Sequence, residues 1–141
     1  MQKPTSLTET STALSVDLPE DSNITDLVLS SHAEDPAAAV YAVRNGAGGW
    51  LDVSFSAFLD RVRGVARGLI AHGVKPGDRV ALFAPTSYEW AVLDQAVWFA
   101  GAISVPIYET SSAHQVQHIL TDSGATVVAC GNGSHAVSYT H

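Results

Sequence analysis

The chain has 141 residues, of which 46% are hydrophobic, and its 14 acidic residues against 7 lysines plus arginines give a formal net charge of −7. This length and apolar content fit one domain, or part of a larger one, and exclude a disordered chain. The acidic balance argues against binding to nucleic acid or to an anionic membrane surface, since both require clustered positive charge.

Residues 1–20 lack periodic apolar positions and predict a flexible leader without the hydrophobic core of a signal peptide. No segment reaches the roughly 20 apolar residues of a membrane span. The single cysteine, Cys130, permits no internal disulfide, which favours a reducing compartment. Its position in the apolar run ATVVAC indicates a buried strand thiol rather than a nucleophile. We therefore expect a cytoplasmic protein, with peripheral attachment to a membrane left open.

A short helix and a hairpin are predicted next. Asn23 is placed to cap the helix, apolar residues three and four apart follow it, and Pro36 ends it. Residues 38–44 and 50–53 read as two strands joined by the loop 45–49. The loop sequence GAGG superficially resembles a phosphate loop. It joins two strands and has no helix N-terminus to present amides, so we assign it no nucleotide role.

The clearest predicted element is a helix that Ser54 caps and that ends before Gly73, where a left-handed residue belongs. Its apolar side chains form one stripe at helical spacing: Phe55, Phe58, Leu59, Val62, Val65, Ala66, Leu69 and Ile70. The only dense basic group, Arg61, Arg63 and Arg67, lies on this helix and is interpreted as a solvated face. Residues 75–78 then fit a type II turn, and residues 79–84 read as a strand covered on both faces.

Residues 86–89 predict a capping box, in which Thr86 caps a helix and Glu89 reaches back to it. This helix runs to about residue 100, with Gly101 closing it, and a strand follows over 102–107. Ser111 or Ser112 is then expected to cap a helix that extends to about residue 122. A last strand spans 125–130.

The alternation of helix and strand predicts an α/β fold: a parallel sheet with flanking helices, in which strands 79–84, 102–107 and 125–130 are neighbours. The helix over 88–100 is apolar nearly all round, which is typical of a helix buried on several sides. We interpret these side chains as core packing rather than as an acyl-binding wall. Trp98 and Phe99 point to different sides, so we expect at least one of them to be left uncovered.

The segment GVKPGDRVALFAPTSYEWAVLDQAVWFAGAISVPIYETSS, residues 73–112, resembles the N-terminal part of AMP-forming acyl-CoA synthetases, above all the long-chain fatty acid–CoA ligases. The resemblance extends over about residues 24–128. It implies that residues 21–130 form the incomplete first part of the large N-terminal domain of that fold, followed by an irregular tail over 131–141.

The resemblance also implies a reaction: members activate a fatty acid with ATP and Mg²⁺ to an acyl-adenylate and then transfer the acyl group to CoA. Their phosphate loop, their Tyr-Gly-x-Thr-Glu motif and their catalytic lysine have no counterpart here, so no catalytic, cofactor-binding or metal residue is assigned. We expect the chain to be inactive alone, and whether it acts as an enzyme stays open. The alternative is a non-catalytic module that self-associates or pairs with a missing C-terminal part through an apolar face.

Two pairs of residues remain as candidates for sites. Tyr108 and Thr110 follow the strand-end Pro106 in the run VPIYETSS, at the sheet edge where open α/β folds bind ligands. We expect them to border a substrate site, the alternative being a turn followed by a helix cap. His114 and His118 are four apart on a helix, but no third ligand is evident, so a solvated face is preferred to a metal site.

Overall fold

The computed structural model describes residues 11–13 and 19–132, so most of the expected leader and tail lie outside it. The described elements, in chain order, are α1 (Ile24–Glu34), β1 (Ala39–Arg44), β2 (Trp50–Ser54), α2 (Phe55–Ala71), β3 (Arg79–Phe83), α3 (Tyr88–Phe99), β4 (Ile103–Ile107), α4 (Ala113–Ser123) and β5 (Val127–Cys130). The predicted α/β class is confirmed, and each predicted helix and strand is present.

Strands β3, β4 and β5 form one parallel sheet in the order β4-β3-β5. Arg79 is paired with Ile103 at the start of the β3–β4 register, and Val80 is paired with Val127 in the β3–β5 register. The prediction that these three strands are parallel neighbours is therefore confirmed. Because β3 lies in the middle, all its residues after Arg79 are buried.

Alternate residues of β3 serve the two faces of the sheet. Val80 and Leu82 pack with Val97 of α3, whereas Ala81 and Phe83 pack with Val116 of α4. The two crossover helices therefore cover both faces of β3, which explains why its sequence is a nearly continuous apolar run, as predicted.

The hairpin β1–β2 pairs antiparallel and packs against α2 and α3. Tyr41 lies with its ring centroid 5.0 Å from that of Phe58 and 5.4 Å from that of Tyr88. Burial raises the pKa of Tyr41 above its ordinary value, and the neighbouring Tyr88 and Asp94 add to the rise. This aromatic cluster joins the hairpin to the layer of helices.

The link from α2 to β3 shows why two glycines stand where they do. Gly73 has φ +95°, and the Val74 amide donates to the Leu69 carbonyl in the six-to-one bond of a Schellman cap. Gly77 has φ +84°, and the Asp78 amide donates to the Lys75 carbonyl at 3.0 Å, as the predicted type II turn requires.

The start of α3 differs from the prediction. Ser87, not Thr86, is the N-cap, and its hydroxyl accepts a hydrogen bond from the Trp90 amide at 3.1 Å. Glu89 consequently falls at the second helical position rather than the third, so it is not placed for a capping box. The expectation that Trp98 or Phe99 is left uncovered is also wrong, since both are half-buried.

Pro106, the proline near the end of β4, does not end the pairing of its strand. It pairs with Leu82 in the register, and the ladder continues to Phe83 and Ile107. The reason is that β4 is an edge strand of this sheet, where a proline is tolerated with its missing N–H directed away from the neighbour.

The first helix carries a cap but contributes no buried residue. The Asn23 side chain accepts from the Asp26 amide and the Asp26 side chain accepts in return, a capping box that confirms Asn23 as the N-cap. Ile24 and Leu27 are nevertheless 48% and 58% exposed. This helix therefore depends more on its local cap than on buried side chains.

Candidate functional site

The carboxyl ends of the three parallel strands meet at one edge of the sheet. Ala84 and Pro85 follow β3, Tyr108 follows β4 and Gly131 follows β5. Two cavities, of about 410 and 360 Å³, open here, and both are lined by Ala84, Pro85 and Trp90. Open α/β sheets bind their ligands in this position, so this edge is the candidate site.

Local hydrogen bonds hold the edge together. The Gly131 amide donates to the Phe83 carbonyl at 3.0 Å, which extends the β3–β5 pairing to the mouth of the cavities. The Ser111 amide donates to the Tyr108 carbonyl at 2.9 Å and closes the turn after β4. Ser112 then caps α4 in a capping box with Gln115, which decides between the two predicted caps. Three strand ends thus present short, fixed loops to the same space.

The first cavity lies between the ends of β3 and β4. Its lining comprises Ala84, Pro85, Thr86, Trp90, Pro106, Ile107, Tyr108 and Glu109. The second lies between the ends of β3 and β5 and is lined by Ala84, Pro85, Ser87, Glu89, Trp90, Leu93, Ala129, Cys130 and Gly131. Trp90, in the first turn of α3, separates the two.

The linings combine apolar side chains with hydroxyl groups and one carboxylate each. Glu109 borders one cavity and Glu89 the other, and neither lining includes a lysine or an arginine among the described residues. An acyl chain or an aromatic group fits such walls, whereas a phosphate requires cations or converging amides. The lining residues present here therefore do not fit a triphosphate.

The structure separates the two residues predicted to border a substrate site. Tyr108 lines the first cavity and is 86% exposed. Thr110 is exposed in the turn that follows and is not part of the lining. The role of both at a substrate site stays a prediction.

The remaining candidates lie elsewhere. His114 and His118 are exposed on α4, and no three His, Cys, Asp or Glu side chains within the described ranges lie close enough to hold a metal ion. In the glycine loop, the amides of Ala47 and Gly49 donate to the Asn45 side chain at 3.1 and 2.9 Å. Cys130 is in a strand as predicted, half-buried, at the wall of the second cavity.

Sequence reasoning missed one residue of the site and one contact outside it. Trp90 was interpreted as part of the helix core, yet it lines both cavities. The signal in the sequence is its position in the first helical turn after a strand end, where ligand sites of α/β folds lie. Asp94 and Ser104 were not singled out, and the Ser104 hydroxyl donates to the Asp94 carboxylate at 2.5 Å, tying α3 to β4.

The part of the chain that the structure describes contains no helix both long and apolar enough to cross a membrane.

Known proteins share this sequence pattern and this architecture. The sequence profile described as "AMP-binding enzyme" matches residues 29–140. Long-chain-fatty-acid–CoA ligase FadD15 of Mycobacterium tuberculosis is 44% identical over 117 residues, which are 83% of this chain and 19% of that protein. The chain therefore spans about a fifth of the length of the curated relatives it matches.

Solved structures agree. The inhibitor-bound N-terminal domain of FACL13 from Mycobacterium tuberculosis superimposes with a TM-score of 0.72 at 31% identity, over 82% of this chain and 28% of that one. ATP-bound MatB from Rhodopseudomonas palustris gives a TM-score of 0.65 at 30% identity, over 74% and 20%. The chain belongs to the AMP-binding enzyme family, in which it matches the N-terminal region of long-chain fatty acid–CoA ligases.

Proposed function

We propose that this chain supplies the N-terminal part of an AMP-forming long-chain fatty acid–CoA ligase. The observation that carries the proposal is the 44% identity to FadD15 over 117 residues. The reaction is the one implied by the family resemblance: a fatty acid and ATP give an acyl-adenylate and pyrophosphate, and CoA then displaces AMP to give the thioester.

Within that enzyme, the contribution of these residues is a wall for the acyl substrate. The cavity between the ends of β3 and β4 is lined by Trp90, Pro106, Ile107 and Tyr108, which suit an apolar chain. Because the lining lacks cations, no step that involves the ATP phosphates is assigned to this cavity. Binding of CoA, a cytoplasmic location and contact with a membrane stay predictions.

A chimeric enzyme tests the proposal. The N-terminal region of Mycobacterium tuberculosis FadD15 is replaced by the residues of this chain that match it, and AMP release is measured with palmitate, ATP and CoA. We expect palmitate-dependent turnover by the chimera and none by the isolated chain. A chimera that unfolds cooperatively, and so is folded, but releases no AMP above the reaction without palmitate would refute the proposal.

The second candidate is a non-catalytic module that self-associates or binds a partner polypeptide. One observation favours it: β5 lies at the edge of the sheet, beside an apolar groove. The two candidates differ in the chimera assay, because a module without a catalytic role would not restore turnover.

A further inference from the structure

The two cavities at the strand ends share one wall, which is formed by Ala84, Pro85 and Trp90. Ala84 contributes a methyl group and Pro85 a ring closed on its own backbone, so neither side chain reaches far from the loop after β3. The Trp90 indole is the largest side chain in the shared wall. Passage of an apolar ligand from one cavity into the other therefore depends on Trp90.

The position of Trp90 is fixed from two sides. Its amide donates to the Ser87 hydroxyl at 3.1 Å, which holds the residue in the first turn of α3. Its side chain is half-buried and packs against the core cluster that includes Val80 and Leu82 of β3. An indole has two rotatable bonds, so packing of this kind holds the ring in place as a partition between the cavities.

The rest of the shared wall is tightly packed on the β5 side. An ideal Cβ at Gly131 would lie 2.9 Å from the Ala84 Cβ and 2.9 Å from the Pro85 Cδ. The end of β5 therefore lies directly against the loop after β3, without space for a methyl group at position 131. Trp90 is consequently the part of the wall that a smaller side chain can open.

We propose that Trp90 is a specificity-determining residue, whose indole confines the acyl chain of the substrate to the cavity between the ends of β3 and β4. The inference rests on the proposed function and adds the residue that limits the length of the acyl chain. A confined chain fills a cavity of about 410 Å³, whereas the second cavity, of about 360 Å³, stays outside its reach. A chain that crosses the partition would gain contacts with Leu93 and Ala129.

The length of the acyl chain is the property that this arrangement controls. Each methylene that moves from water into apolar surroundings tightens binding about four-fold. Once the chain fills the first cavity, further methylenes stay in water and add nothing to the affinity. Replacement of Trp90 by leucine removes the ring from the partition, so two more buried methylenes would tighten binding about fifteen-fold.

Trp98 gives a matched control. It is half-buried on the same helix, and it lines a cavity with Asn23 and Gly101 rather than either cavity at the strand ends. Trp90→Leu and Trp98→Leu make the same chemical change in α3, and only the first removes the partition. Trp90→Phe leaves a smaller ring at the partition and should give an intermediate result.

The first measurement is calorimetric titration of the full chain with saturated fatty acids from octanoate to stearate, each below the concentration at which it forms micelles. In the unsubstituted chain the affinity should rise with acyl length and then level off. Trp90→Leu should raise the ratio of the octanoate Kd to the stearate Kd by at least about ten-fold. Trp98→Leu should leave this ratio within about two-fold of that of the unsubstituted chain.

Circular dichroism and urea unfolding establish that each variant is folded. If Trp90→Leu lacks a cooperative transition, Trp90→Phe carries the test, with an increase in the ratio of at least about three-fold expected. Equal changes for the substitutions at Trp90 and Trp98 would overturn the inference. A folded chain that binds none of the acids would also overturn it.

The FadD15 chimera supplies the second measurement, the kcat/KM for AMP release with the same acids. Trp90→Leu should shift the preference of the chimera towards longer acids, and Trp98→Leu should leave it unchanged. A shift in the dissociation constants without AMP release by the chimera would refute the proposed function and leave Trp90 as the partition. AMP release with the same preference in all variants would refute the role of Trp90 and leave the proposed function.

Discussion

Arg79 holds the end of α4 to the start of β3, and its removal should destabilise the fold measurably. Its Nε donates to the Ser123 carbonyl at 2.8 Å, and its Nη2 donates to the Gly124 carbonyl at 3.0 Å. These carbonyls belong to the last turn and the C-cap of α4, where backbone acceptors lack helical partners. A third contact, from Nη1 to the Gly77 carbonyl, is long at 3.4 Å.

The size of the effect follows from two short bonds made by a charged donor. Such a bond stabilises a protein by about 1.5–3 kcal/mol, and solvent access to the half-buried guanidinium favours the lower value. We therefore expect Arg79→Ala to lower the free energy of unfolding by about 2–3 kcal/mol. Arg79→Lys keeps the charge but not the fork that reaches two carbonyls, so it should recover less than half of the loss.

Urea unfolding of the isolated chain at neutral pH, followed by tryptophan fluorescence and far-UV circular dichroism, measures these differences. Arg61→Ala is the control, since Arg61 is exposed on α2 and its loss should change stability by no more than about 0.5 kcal/mol. An Arg79→Ala variant as stable as this control, or an Arg79→Lys variant equal to the unsubstituted chain, would refute the role of the guanidinium.

Three further outcomes are expected. Ser87→Ala should lower the free energy of unfolding by about 1 kcal/mol and Thr86→Ala by much less, because Ser87 caps α3. Equal losses for the two variants in urea unfolding would contradict the observed cap. Since burial raises the pKa of Tyr41, the stability it provides is complete below its unfolded value of 10.0 and is lost as the pH rises through the higher folded value. Tyr41→Phe should therefore make unfolding less sensitive to alkali above about pH 10, and identical pH profiles would argue against this. In the FadD15 chimera, Tyr108→Ala should raise the KM for palmitate several-fold, because Tyr108 lines the cavity. It should leave the Tm unchanged, because the side chain is 86% exposed. Leu51→Ala, at another exposed residue, is the control and should change neither the KM nor the Tm.

Sequence reasoning succeeded where the determinants are local. The caps at Asn23 and Ser54 and the turn glycine at position 77 depend on neighbours within a few residues, and each was predicted correctly. The apolar stripe of α2 was predicted correctly except at its end, where Ile70 is 53% exposed. The prediction of Thr86 as the cap of α3 failed although Thr86 and Glu89 have the spacing of a capping box, because the adjacent Ser87 caps the helix without one.

Features set by distant parts of the chain were not predictable in the same way. The tolerance of Pro106 inside its ladder depends on β4 lying at an edge, which is a property of the strand order rather than of the residues around the proline. Trp90 likewise became a cavity residue only because the ends of β4 and β5 were brought to either side of it. The Tyr108 position, by contrast, followed from the general rule for strand ends.

The central place of β3 also has a consequence for the order in which the sheet assembles. Partners in the β3–β4 pair lie about half as far apart along the chain as partners in the β3–β5 pair, so the first pair closes the smaller loop. During synthesis, β3, α3 and β4 therefore leave the ribosome as a unit able to pair before α4 and β5 exist. In the finished protein β5 has one neighbouring strand within the described sheet whereas β3 has two, so the amides of β5 should exchange with solvent deuterium sooner than those of β3.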